Sequence, residues 1–333
     1  MRFGLALPHY DFSLPDEPRI STRSMVEWAV RAEHLGFDSV WISDHFLLSL
    51  ARYGGPEHLR GSLEPMTALA ALAARTSRVR LGTLVLCAPF RHPSVVAKMA
   101  STIDLLSGGR LDLGLGAGWL KDEFERFGYE FGSVRERFGV LEEDLEVLRA
   151  LFSEGPSSVR GRRFELRNAV MRPRAAQRPR PPLWLGSKGG PRSLAIAARL
   201  ADGWNTAWRW DPGSYGQRVA AARAACERAE RDPSSLRRSV GLYTAVGADD
   251  RDLAARFGRL REWMPGLDDQ TPESFAEATL TGTPDRVLDR VAAFAAHGVE
   301  EIIITIGQIP FAIPDPEMVE LIAERVVAPG RSI

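Results

Sequence analysis

Cysteine is nearly absent from this 333-residue chain, which has only Cys87 and Cys226. Two residues so far apart give no disulfide framework and no zinc spacing, and each sits in an apolar pattern as a small buried side chain. The six histidines are scattered, so no metal site is expected. Net charge is missing too: 43 basic residues balance 43 acidic ones. That balance argues against a broad nucleic-acid or acidic-membrane footprint. No apolar run reaches the ~18 residues of a transmembrane helix, and the N-terminal Met1–Pro8 stretch is too short for a signal peptide. A cytoplasmic protein is expected. Lysine is rare, occurring only as Lys98, Lys121 and Lys188, which makes each one worth inspection.

What is present is a repeated unit. An apolar helical stripe ends at glycine and continues as a short apolar strand in three places. The first runs from Met25 through Leu35 to Gly36 and then Asp38–Ile42. The second runs from Leu105 to Gly109 and then Leu111–Leu115, and the third from Phe294 to Gly298 and then Ile302–Thr305. Glycine past a helix end takes the left-handed conformation cheaply, and an apolar run suits a strand buried on both faces. Repeated αβ units mean a parallel sheet.

The periodicities predict strands near 3–8, 38–43, 79–87, 111–117, 183–187, 202–206, 239–247 and 301–306. Helices are predicted near 22–35, 63–76, 93–107, 133–153, 190–200, 213–230, 249–262 and 284–297. Thr283-Pro284 offers a capping hydroxyl and a proline at the first helical position, and so opens the eighth helix. A further helix near 316–327 falls outside the count. Eight strands alternating with eight helices favour one closed (β/α)8 TIM barrel over residues 1–333, a length that suits such a barrel with insertions. The long connections at 45–62, 118–132, 154–182 and 262–282 are expected as insertion loops. Those at 45–62 and 262–282 are placed on the C-terminal face.

Three segments carry candidate chemistry. Asp44-His45 closes the second strand, where barrel side chains face the active site, and His45 can donate a hydrogen bond or move a proton near neutral pH. An isolated Asp-His pair would as readily be a cap and a packed ring; the location decides for function. Ser187-Lys188-Gly189-Gly190 joins the fifth strand to a helix. It offers free amides, a hydroxyl and a charge to an anion, where a plain turn would need neither the paired glycines nor the lysine. Gly114-Leu115-Gly116-Ala117-Gly118-Trp119 lacks the spacing of a dinucleotide fingerprint, and its small residues suit a planar ring lying against the backbone. His9, Trp204, Trp208 and Trp210 are candidate pocket walls, with packing as the plain alternative. Glu123 can reach the same face as Trp119 or remain solvated.

In this order the segments resemble the luciferase-like monooxygenase superfamily, especially its branch using the deazaflavin coenzyme F420. The resembling runs are Ala32–His45, Leu81–Val85, Leu106–Arg110 with Gly114–Trp119, and Pro182–Gly186 with Ala201–Asn205. The resemblance implies that Asp44 and His45 stand beside the coenzyme ring, with His45 as donor or proton relay. It implies a cis peptide at Leu84–Val85 supporting the ring, and Ala117, Gly118 and Trp119 facing it. Ser187, Lys188, Gly189 and Gly190 would hold the phosphate. Relatives that oxidise sugar phosphates carry glutamate in place of Trp119, so the resemblance implies a different substrate here, apolar or planar. The implied activity is hydride transfer between F420 and a small organic molecule. The alternatives are an FMN-dependent monooxygenase and a non-catalytic ligand-binding barrel. A homodimer is implied by the resemblance alone.

Overall fold

In the computed structural model, which describes residues 1–333, each of eight parallel strands pairs with the next and the last pairs with the first. They are β1 Arg2–Ala6, β2 Ser39–Ile42, β3 Arg80–Thr83, β4 Leu111–Gly116, β5 Leu183–Gly186, β6 Gly203–Trp208, β7 Arg237–Val246 and β8 Glu301–Ile306. Closure runs through β4 and β5 (Leu113 beside Leu183) and through β8 and β1 (Glu301 beside Arg2). The result is a (β/α)8 TIM barrel, as the repeated αβ units require.

Around it lie α1 Thr22–His34, α2 Pro65–Arg75, α3 Pro93–Leu106, α4 Val134–Leu151, α5 Pro191–Leu200 and α6 Pro212–Arg228. The outer ring continues with α7 Asp250–Trp263, α8 Pro284–Ala296 and α9 Pro316–Ile322. In α1, Ser21 caps the amide of Ser24, and Met25, Trp28, Ala29 and Ala32 form the buried stripe. Gly36 then takes a φ of 88°, the left-handed turn expected after a helix. Ser133 and Glu136 form a reciprocal capping box at the start of α4.

Two tryptophans fill the barrel interior below the site. Trp41 and Trp184 meet edge to face at 6.4 Å between centroids. They fit only because the strands facing them carry glycine: a Cβ on Gly82 would stand 2.1 Å from Trp41, and one on Gly203 2.3 Å from Trp184. Asp112 accepts the Trp184 indole N–H at 3.1 Å. This plug leaves the open space at the C-terminal ends of the strands.

Several expectations are corrected. Both α7 and α8 lie between β7 and β8, so the eighth outer position belongs to the C-terminal segment from Pro316, not to the helix at 284. Thr283 stands at the start of α8 but its hydroxyl makes no capping hydrogen bond; Pro284 alone marks the start. The third strand stops at Thr83 rather than running through residue 87, and only Leu86–Cys87 pairs again, with β4. The long connections contain structure of their own. Leu47–Ser49 pairs with Leu59–Gly61, Ser157–Arg160 pairs with Glu165–Ala169, and Lys121–Arg126 is a short helix. No helix is long and apolar enough to cross a membrane.

Candidate active site

A cavity of about 930 Å³ opens at the C-terminal face. Its floor is the break after β3. The Leu84–Val85 peptide is cis, as the resemblance implied. The Val85 side chain projects into room left by three glycines: added Cβ atoms on Gly114, Gly116 and Gly186 would come within 2.9, 2.7 and 2.7 Å of it. Gly116 and Gly186 therefore leave room for Val85, and Gly114 for the Thr83 carbonyl as well. Leu84, Val85, Ala117, Gly118 and Trp119 all line the cavity. Gly118 has a φ of 74°, and a Cβ there would stand 2.6 Å from Phe124, so only glycine fits.

Asp44 lines the cavity, yet its carboxylate is engaged behind the wall. Arg91 grips it through two hydrogen bonds of 2.5 and 2.9 Å, and the Cys87 amide donates to it at 2.8 Å. The acid thus anchors the β3 break to β2, with its charge already paired. Arg91 escaped the sequence reading; it stands two residues before α3 and does not itself line the cavity. Burial pushes the Cys87 thiol well up, so that it stays protonated.

His45 lines the cavity beside Trp119. Its Nδ1–H donates to Glu123 Oε2 at 2.7 Å, and Nε2, with no protein partner, is left to the cavity. Glu123 Oε1 accepts the amides of Phe46 and Leu47 at 2.6 and 3.0 Å. Glu123 is 3% exposed, so the solvated alternative fails and the acid is built into the site. The short helix Lys121–Arg126 carries it inward, a placement that sequence spacing did not reveal.

At the start of α5, no side chain caps the helix and Pro191 occupies its first turn. The Ser187 hydroxyl donates to Ser193 Oγ at 2.9 Å and accepts from the Gly189 amide and the Trp204 indole. The Lys188 ammonium donates to the Ala207 carbonyl, and burial lowers its pKa. Ser187 and Lys188 line the cavity; Gly189 and Gly190 lie beyond its wall. Gly189 has a φ of 73°, and a Cβ there would press on Trp204 at 2.9 Å, so this glycine also serves the turn.

Three expected pocket residues lie elsewhere. His9 is fully buried behind the wall: its Nδ1–H donates to the Leu7 carbonyl at 2.9 Å, and Nε2 accepts from the Ser43 amide at 3.2 Å. Burial lowers its pKa to about 3, so the ring stays neutral. The cavity is lined instead by its neighbour Tyr10, whose hydroxyl meets Ser43 Oγ at 2.5 Å. Trp204 is also fully buried, stacked on Tyr215 of α6 at 5.8 Å, and Trp210 packs against the same tyrosine. Trp208 does line the cavity, between Tyr243 and Phe311.

The insertion loops at 45–62 and 262–282 meet over the mouth. Gly54 and Gly266 touch backbone to backbone: a Cβ on Gly54 would stand 3.1 Å from Gly266, and one on Gly266 2.4 Å from the Tyr53 carbonyl oxygen. Trp119 is 47% exposed at the rim, edge-on to His45 at 5.5 Å. No group of three or more His, Cys, Asp or Glu side chains could hold a metal ion.

The chain matches the luciferase-like monooxygenase family over residues 1–301. It is 33% identical over 247 residues to the F420-dependent glucose-6-phosphate dehydrogenase of Amycolatopsis mediterranei (strain U-32), covering 73% of this chain and 70% of that protein. It is 31% identical over 314 residues to an F420-dependent hydroxymycolic acid dehydrogenase of Mycobacterium tuberculosis (strain ATCC 25618 / H37Rv), covering 92% and 81%. Among solved structures, an F420-dependent secondary alcohol dehydrogenase with an F420–acetone adduct shares the fold. Its TM-score is 0.79 at 20% identity, with 99% and 98% of the two chains covered. A monooxygenase from Streptomyces bottropensis superposes with a TM-score of 0.77 at 27% identity, covering 98% and 99%. The chain belongs to the luciferase-like monooxygenase family and is an enzyme of that family.

Proposed function

We propose that this enzyme transfers hydride between the deazaflavin coenzyme F420 and a small organic substrate. The observation that carries the proposal is His45, held by Glu123 and turned into a cavity floored by Val85. The residues present fit a flavin-type coenzyme. The cavity is of ligand size, one wall is the small-residue run Gly116-Ala117-Gly118, and the α5 N-terminus is left without a side-chain cap. F420-dependent relatives at 33% and 31% identity favour the deazaflavin.

When bound, the coenzyme supplies the hydride chemistry. Val85 and the Gly116–Gly118 backbone would support its ring, and Ser187, Lys188 and the α5 amides its phosphate. Asp44 keeps the Cys87 amide, and with it the floor, in place. Glu123 fixes the tautomer of His45, so that Nε2 can exchange a proton with a substrate oxygen. Trp119, Trp208 and the paired loops limit water at the mouth.

The likeness to the Streptomyces bottropensis monooxygenase favours a second reading, an oxygen-using monooxygenase, for which reduced FMN would be the coenzyme. The test is anaerobic mixing with reduced F420 and a panel of enones, quinones and nitro compounds. Oxidation of the coenzyme coupled to substrate reduction is expected. Turnover only with reduced FMN and oxygen would transfer the enzyme to the second reading; a barrel that binds without either turnover would be a ligand-binding protein. We also propose a homodimer, supported by Val95, Leu105 and Leu106, which are exposed on the outer face of α3 to either side of Lys98 and Thr102. Light scattering in solution tests it.

A further inference from the structure

The charges on the cavity wall do not balance. Asp44 and Glu123 are its acids, the first held by Arg91 and the second by His45 and two amides. Against them stand Arg52, Arg137, Lys188 and Arg209. Arg137 spends its donors on the Gly118, Phe131 and Gly132 carbonyls, and Lys188 lies at the loop before α5. Arg52 and Arg209 remain, one from each side of the mouth, and neither forms a salt bridge with any carboxylate of the chain.

The Arg52 guanidinium sits over the Trp119 ring, 4.1 Å from its centroid, and makes no side-chain hydrogen bond. Arg209 stacks at 5.0 Å on Phe275 and donates to the amide oxygens of Gln270 and Gln308, both neutral. The two guanidinium groups converge on one pair of phenols. Arg52 is 6.0 Å from the Tyr53 ring and Arg209 is 5.9 Å from that of Tyr243. Burial raises the pKa of both phenols, Tyr243 furthest, while Arg52 acts against the rise at both and Arg209 at Tyr243. Two protonated phenols between two stacked, unneutralised guanidinium groups make a donor-rich end to an otherwise aromatic cavity. Planar forks of this kind match a carboxylate.

We propose that the outer end of the cavity recognises an organic carboxylate, so that the substrate joins a planar or apolar body to an acid group held by Arg52 and Arg209. Trp119, Trp208 and Phe311 would pack the body, and the tyrosine hydroxyls would complete the acceptor sites on the acid. The inference rests on the proposed coenzyme reading for the division of the cavity, with Ser187 and Lys188 serving the phosphate and the arginines left to the substrate.

The test is calorimetric titration of the coenzyme-loaded enzyme with trans-cinnamate and with its neutral methyl ester. Arg52→Gln, Arg209→Gln and the double variant follow, with coenzyme affinity measured in each. The acid is expected to bind at least about tenfold more tightly than the ester, a gap that salt narrows and the double variant abolishes while coenzyme affinity holds. Equal affinities, no saturable binding of the acid, or a gap that survives in the double variant would overturn the proposal. Loss of coenzyme affinity in the variants would overturn it too, by assigning the arginines to the coenzyme. If the wild type binds no coenzyme, that reading fails by itself, and the acid–ester comparison on the apoprotein still decides this one.

Discussion

Glu123 Oε2 receives the Nδ1–H of His45 at 2.7 Å, across 78 positions of sequence, while Oε1 ties down the two amides that follow His45. One carboxylate therefore sets the tautomer, the ring orientation and the exit of the loop after β2. His45→Ala is expected to lower turnover about 100-fold or more while coenzyme affinity changes by only about threefold. Glu123→Gln keeps the shape but not the charge, and should cost at least about tenfold in kcat. Steady-state kinetics beside fluorescence titration separates the two effects, and full activity in His45→Ala would remove His45 from the chemistry.

The Asp44–Arg91 pair is a structural clamp under the floor, with side-chain exposures of 4% and 16%. Arg91→Ala leaves a buried carboxylate with a single amide donor, and is expected to cost about 3 kcal/mol or more in urea unfolding. The double replacement Asp44→Asn with Arg91→Gln should recover part of that loss. A single variant as stable as the wild type would show the pair to be dispensable.

His9 ties acid sensitivity to the wall behind Tyr10. Its pKa is lowered to about 3 by burial, so the unfolded chain takes up a proton near pH 6.5 that the fold refuses. The contribution of His9 is intact above about pH 6.5 and is lost progressively as pH falls toward 3. Between pH 6.5 and 5 the loss should reach about 2 kcal/mol. His9→Gln should flatten that part of the stability profile, measured by chemical denaturation at each pH.

Asp144 on α4 has the opposite sign. It is 1% exposed, and neither carboxylate oxygen has a hydrogen-bond partner. Burial, offset only in part by Arg163, raises its pKa to about 8. The fold keeps a proton that the unfolded chain releases near pH 4, so stability from this site falls as pH rises from about 4 to 8. Asp144→Leu should raise Tm, and by more at pH 8 than at pH 5. A lower Tm at both values would mean that the acid is satisfied.

Much of the architecture was legible because barrel strands and helices announce themselves locally: an apolar stripe, a glycine with positive φ, an apolar run. Gly36 and Gly298 each show that signal in the structure. The paired segments at 47–61 and 157–169 gave no such signal, since short, exposed strands lack a buried alternation. In the site, Asp44 and His45 were readable from position alone, as the end of a strand whose side chains must face the mouth. Glu123 was not, because its partner is distant in sequence and a short insertion helix delivers it. The tryptophans show a further limit. Beside the C-terminal end of a barrel strand lie a helix on one side and the cavity on the other, and both bury an indole. Trp204 chose Tyr215 of α6, and Trp208 the cavity. Gly114 and Gly116 were legible as space, but not that the break after β3 fills part of it through the Thr83 carbonyl and Val85.

Titration of the purified apoprotein with F420 and, separately, with FMN, followed by ring fluorescence, tests the central claim most directly. The account expects saturable binding of F420 at micromolar concentrations and much weaker binding of FMN. Binding of neither would contradict a coenzyme site built on Val85 and the α5 N-terminus, and a preference for FMN would contradict the deazaflavin assignment.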